Sequence, residues 1–145
     1  MANLNLNGNI SKNEETLQLA YSDLITFGKL FSPQDFLASA TPDFHNEVGK
    51  LLINKDKQQL ALVLPRDHAK STMAACAVLH RFLFATKETP EFIAWVGEAQ
   101  DQARDNLGWI QNHIYSNPAV HYYFGDLEGD KWTKDEFTLK NGCRM

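Results

Sequence analysis

The feature that most restricts what this chain can become is residues 60–84, which read LALVL, PRDHA, KST and then MAACAVLHRFLF. LALVL is a continuous apolar run and suits a strand covered on both faces. Pro65 ends it, because proline has no N–H to give to a ladder. From Met73 to Phe84 the chain is apolar nearly all round, which predicts a helix buried against a sheet. Between strand and helix lies a polar turn, and Lys70, Ser71 and Thr72 stand where turn becomes helix. A helix N-terminus presents free N–H groups and the positive end of its dipole, so a lysine at such a junction is what phosphate binding requires. The lysine reaches β- and γ-phosphate oxygens, and the hydroxyl after it binds Mg²⁺. The competing reading is a plain polar turn with Lys70 solvated.

The usual phosphate-loop spacing is G-x-x-x-x-G-K-S/T. The matching window runs from Leu64 through Pro65, Arg66, Asp67, His68, Ala69 and Lys70 to Ser71, with Leu64 and Ala69 in place of both glycines. Alanine is the milder replacement, and it is tolerable only if the backbone at Ala69 avoids positive φ.

Residues 92–96, FIAWV, read as a second buried strand. A helical crossover joins it to the first, so the two strands are expected to lie parallel. Two successive strand-to-helix units predict the α/β class, a parallel sheet flanked by helices. Ahead of this core, residues 11–56 predict a helical segment and residues 1–10 a disordered lead-in. Ser11 and Glu14 form a capping box for a helix to about Phe27 that Gly28 ends. Ser32-Pro33 starts a second helix and Thr41-Pro42 a third, over about 43–53. A fourth helix is expected over about 99–115, amphipathic through Ala103, Leu107, Ile110 and Ile114, and Pro118 starts another short one. Residues 136–140 read as a strand, Asn141-Gly142 as a two-residue hairpin turn, and residues 143–145 as the returning strand. A domain seldom stops inside a hairpin, so the expectation is the N-terminal part of a longer protein.

The 145 residues suffice for one domain with a core, and 43% hydrophobic with 22% charged residues is the composition of an ordinary globular protein. A net charge of −4 gives no bulk attraction to nucleic acid, so any such contact has to come from local patches. No apolar run reaches the length of a membrane span, and the N-terminus is no signal peptide. Cys76 and Cys143 lack metal-type spacing, and Cys76 in an apolar helix reads as a small buried hydrophobe. His113 and His121 have no ligand partner at metal spacing. Tyr122, Tyr123, Phe124 and Trp132 lack interleaved basic residues, which favours packing over base stacking.

PRDHAKST resembles the deviant phosphate loop of the large terminase subunit, the ATPase motor that packs DNA into the capsids of tailed phages. In that family the glycines are often lost, an arginine stands four residues before the lysine, and HAKST or HGKS comes next; Arg66 matches that arginine. Residues 32–52, SPQDF to GKLL, resemble the segment ahead of the family's loop, and WTKDEFTLKNG resembles the family's segment downstream of it. The similarity spans about residues 30–145. It implies an ASCE-type P-loop NTPase fold, here its first part (57–145), cut before the acidic strand that holds Mg²⁺ and activates water. It implies ATP and Mg²⁺ as cofactors. Lys70 would contact the β- and γ-phosphates, Ser71 or Thr72 would reach the metal, and the loop amides from Asp67 to Ser71 would cradle phosphate, with Pro65, Arg66, His68, Ala69 and Thr72 also among the nucleotide-binding residues. Arg66 would stabilise charge on the transferring γ-phosphoryl. Phe44 and His45 stand where the family carries an aromatic–glutamine pair that recognises adenine; the other reading makes Phe44 a core anchor and His45 a surface residue. The implied partners are double-stranded DNA, the small terminase subunit, the procapsid portal and further copies in a ring. The implied location is the host cytoplasm, docked transiently on the procapsid, with a nuclease domain further along the chain. Two other functions fit the same residues: a helicase-like P-loop ATPase outside packaging, and a non-enzymatic P-loop-like binding module.

Overall fold

The computed structural model describes residues 12–56 and 59–145. The expected lead-in (1–10) and the Ser11 half of the capping box lie outside the described residues. Among the described residues seven helices succeed one another: α1 (Lys12–Ser22), α2 (Leu24–Phe31), α3 (Pro33–Phe36), α4 (Asp43–Ile53), α5 (Lys70–Phe84), α6 (Gln100–Ser116) and α7 (Pro118–Phe124). A two-stranded antiparallel ribbon, β1 (Glu128–Trp132) and β2 (Phe137–Leu139), comes after them.

The first expected helix is two. Asp23 interrupts it in extended conformation, and its carboxylate accepts from the Thr26 N–H at 2.7 Å and the Thr26 hydroxyl at 2.6 Å, which starts α2. Gly28 therefore lies inside α2 and does not cap it. Its role is close approach: a Cβ there would stand 2.6 Å from the Phe36 ring. Pro33 takes the first turn of α3, but the Ser32 hydroxyl makes no cap bond and donates to the Asp35 carboxylate instead. Helix α4 occupies the expected span.

The core is built around α5. Met73, Cys76, Leu79, Phe82 and Leu83 are buried, as expected for a helix apolar nearly all round, and they meet Leu24, Phe27 and Phe31 of α2 and Ile110 and Ile114 of α6. Phe137 and Leu139 close the core from the ribbon, with Phe82 edge-on to Phe137 at 5.8 Å. Both cysteines are buried and free.

The parallel sheet is not formed among the described residues. Residues 60–64 take part in no ladder, and of residues 92–96 only Phe92 does, in a parallel bridge with Arg144. Both segments alternate all the same: Leu62, Leu64, Ile93 and Trp95 pack on the core while Val63 and Val96 are about nine-tenths exposed. The alternation is that of strands, but among the described residues these segments pair with no strand beyond the Phe92–Arg144 bridge.

The terminal hairpin is present with a different turn. The returning segment bonds β2 through Leu139 N–H to Cys143 O (2.8 Å) and Met145 N–H to Phe137 O (3.0 Å). Gly142 N–H reaches Leu139 O at 2.9 Å, and Gly142 has φ 88° while Asn141 is not left-handed. That is a three-residue loop with a glycine bulge rather than a two-residue Asn-Gly turn. Asn141 is spent elsewhere: its Nδ2 donates to Phe82 O (2.8 Å) and Ala85 O (3.3 Å), at the C-terminal end of α5. No helix among the described residues is long and apolar enough to cross a membrane.

Candidate functional site

The turn before α5 sets the geometry. Ala69 is the N-cap, and an alanine side chain has no acceptor to offer the helix's first N–H groups. The first backbone bond inside the helix runs from Met73 N–H to Ala69 O at 2.8 Å, so the amides of Lys70, Ser71 and Thr72 have no backbone acceptor among the described residues. Ala69 itself sits at φ 54°, ψ 25°, so the expectation that its backbone avoids positive φ is not met. Asp67 is left-handed as well, at φ 62°. Asp67 and Ala69 stand two positions apart, on either side of His68. A left-handed non-glycine residue costs roughly 1–2 kcal/mol, so the loop is strained at both points.

Lys70 is folded over the loop. Its Nζ donates to Leu64 O at 2.6 Å and to Pro65 O at 2.5 Å, the carbonyls at the end of the apolar run. Arg66 and Ser71 are exposed, and neither side chain has a partner among the described residues. Thr72 faces a cavity of about 340 Å³ between the loop and the α3–α4 region, whose walls include Asp35, Thr41, Phe44, His45, His68 and Met73.

Phe44 and His45 come to the loop from the first turn of α4. The two rings are edge to face at 4.3 Å, and Phe44 lies 5.7 Å from the His68 ring. His45 donates from Nε2 to the His68 carbonyl at 3.2 Å, and His68 donates from Nδ1 to the Arg66 carbonyl at 2.7 Å. Phe44 and His45 thus come to the same turn that carries residues 65–72. Phe44 is at once a half-buried core neighbour and a cavity wall, so its two readings are not exclusive. Asp35, Ser39 and Thr41 also line the cavity and carry no pattern in the sequence that marks them.

The fit to a magnesium triphosphate rests on the loop: three N–H groups without acceptors, a lysine ammonium at the loop mouth, and a hydroxyl at the next residue. Among the described residues no cluster of three or more His, Cys, Asp or Glu side chains is arranged to hold a metal directly. Cys76 offers no nucleophile, since burial pushes its thiol far up. His113 is tied down too, with Nδ1 donating to Trp109 O at 2.9 Å and Nε2 beside the Ser32 hydroxyl at 3.1 Å. Because Asp35 engages that serine and not the imidazole, the trio is a structural knot without the order of a catalytic triad.

No protein-family model, curated protein or solved structure matches this chain.

Proposed function

We propose that residues 65–72 bind the phosphates of ATP as its Mg²⁺ complex, and that the chain is the ATP-binding part of a DNA-packaging motor of the large-terminase type. The observation that carries the reading is the turn itself: acceptor-free amides at the start of a fifteen-residue helix, behind two left-handed residues, with Lys70 at the mouth. Lys70 leaves the Leu64 and Pro65 carbonyls for β- and γ-phosphate oxygens, and the amides of residues 69–72 take the remaining charge. Ser71, or Thr72 on the cavity wall, would hold the metal through its hydroxyl. Bound Mg²⁺ neutralises phosphate charge and orients the β- and γ-groups. Asp35 and Asp67 on the walls favour the metal complex over the bare triphosphate, because their carboxylates repel uncompensated anion. Phe44 supplies a ring face for the base, and the His45 imidazole lies beside it. Arg66, whose side chain has no partner among the described residues, is the group for charge developing on the transferred phosphoryl. On this reading residues 60–64 and 92–96 are strands of a parallel sheet. Double-stranded DNA, the small terminase subunit and the portal are the partners, and further copies complete a ring.

Calorimetric titration with ATP·Mg²⁺ tests it. Lys70→Ala removes charge-assisted contacts worth roughly 1.5–3 kcal/mol, so affinity should fall about ten- to a hundredfold with the fold intact. Equal affinity in the two proteins would remove the phosphate-loop reading.

A further inference from the structure

We propose that His45 and His68 are positioning residues that hold a phosphate loop without glycine in a shape its own backbone disfavours. The inference rests on the phosphate-binding reading of residues 65–72 and adds how that loop keeps its form. Asp67 and Ala69 are both left-handed and neither is glycine. At Ala69 the left-handed form is disfavoured by about tenfold, and at Asp67 by less, because aspartate tolerates that region better than alanine. A glycine loop carries no such penalty, because glycine populates both regions alike.

Two imidazole hydrogen bonds bracket the strained residues. His68 Nδ1–H reaches back to the Arg66 carbonyl at 2.7 Å and closes the kink over Asp67. His45 Nε2–H reaches the His68 carbonyl at 3.2 Å, and that carbonyl belongs to the peptide leading into Ala69. Orienting this peptide plane fixes ψ of His68 and constrains φ of Ala69, the two angles that set the cradle. The donor comes from α4, a separate helix, so the brace also ties the loop to the wall of the cavity. Phe44 packs on the His68 ring from the same side. If the brace offsets the left-handed penalty, a glycine at position 69 makes it dispensable.

The test is a double-substitution cycle between His45 and Ala69 in the 145-residue protein. His45 is half-exposed, so its replacement leaves the core in place. One readout is amide exchange at Met73, whose N–H bonds Ala69 O and reports the start of α5 without nucleotide. The other is affinity for ATP·Mg²⁺. His45→Leu should speed Met73 exchange and weaken ATP·Mg²⁺, each by about tenfold. In the Ala69→Gly background the same change should cost less than about threefold. His45→Gln keeps an N–H for the His68 carbonyl and should behave as the wild type. An equal loss in both backgrounds, or a glutamine variant as impaired as leucine, would overturn the brace. A wild-type protein that binds no ATP·Mg²⁺ removes the nucleotide reading alone; the Met73 exchange pattern then upholds or overturns the brace by itself.

Discussion

His80 donates from Nε2 to the carbonyl oxygen of Tyr21 at 2.9 Å, so a side chain in the middle of α5 holds the last turn of α1. Its other nitrogen, Nδ1, is buried with no partner among the described residues. The rings of Tyr21, Phe27 and Phe84 stand around it, at 5.9, 5.1 and 4.9 Å. Burial is the main reason its pKa is lowered; the bond to Tyr21 opposes the shift, and nearby Arg81 and Lys55 add to it.

Stability should therefore depend on pH through this residue. The unfolded chain takes up the proton near pH 6.5, while the folded protein keeps His80 neutral to lower pH. The contribution is fully present above that pH and is lost as pH falls from about 6.5 toward the lowered value in the fold. Urea unfolding at about pH 7.5 and 5.5 should show a loss in the wild type that His80→Phe reduces. An identical loss in both proteins would assign the dependence to other histidines.

Ala69→Gly should raise stability by about 0.5–1 kcal/mol, since relief of the left-handed strain exceeds the extra entropy of an unfolded glycine. Ala75→Gly, inside α5, is the control and should lower stability by about 1 kcal/mol. Chemical unfolding of the three proteins reads both changes, and a fall at both positions would contradict the strained turn.

Gly28→Ala should destabilise by about 1–3 kcal/mol although alanine is the better helix former, because the new methyl meets the Phe36 ring at 2.6 Å. Trimming the ring with Phe36→Leu should recover part of the loss when the two changes are combined. Additive losses in the double variant would place the cause elsewhere.

Arg66→Ala should separate binding from turnover. A group acting on the transferring phosphoryl lowers the rate by on the order of 10³ or more while leaving ground-state affinity nearly unchanged. Steady-state ATPase assays, beside ATP·Mg²⁺ titration, check it. Weakened binding with normal turnover would make Arg66 a simple phosphate contact.

Legible in the sequence was whatever a local pattern encodes. α5 came from being apolar nearly all round, α6 from its apolar periodicity, α4 from Thr41-Pro42, and the terminal hairpin from Asn141-Gly142, although its turn took the bulged form. The grouping of Lys70, Ser71, Thr72, Phe44 and His45 around one turn came from the spacing and the resemblance together. The break at Asp23 was hidden because a carboxylate capping Thr26 interrupts an apolar stripe that continues on both sides. β1 was hidden because Glu128, Gly129, Asp130 and Lys131 offer no alternation; its pairing with β2 is set across the ribbon. The left-handed Ala69 and the two imidazole bonds that brace it are tertiary facts, and no local preference points to them.

The hold of Asn141 on the far end of α5 bears on how this protein is made. Asn141 lies 59 residues beyond Phe82 and 56 beyond Ala85, so the contact closes a long loop and forms late by contact order. On the ribosome, α5 can coil as soon as it emerges, but its final carbonyls stay uncapped until the hairpin has been translated. The C-terminal end of the helix that carries Lys70 lacks this tie for several seconds at ordinary elongation rates of about 5–20 residues per second, while its middle can already reach α1 through His80. During that interval its apolar faces are open to chaperones.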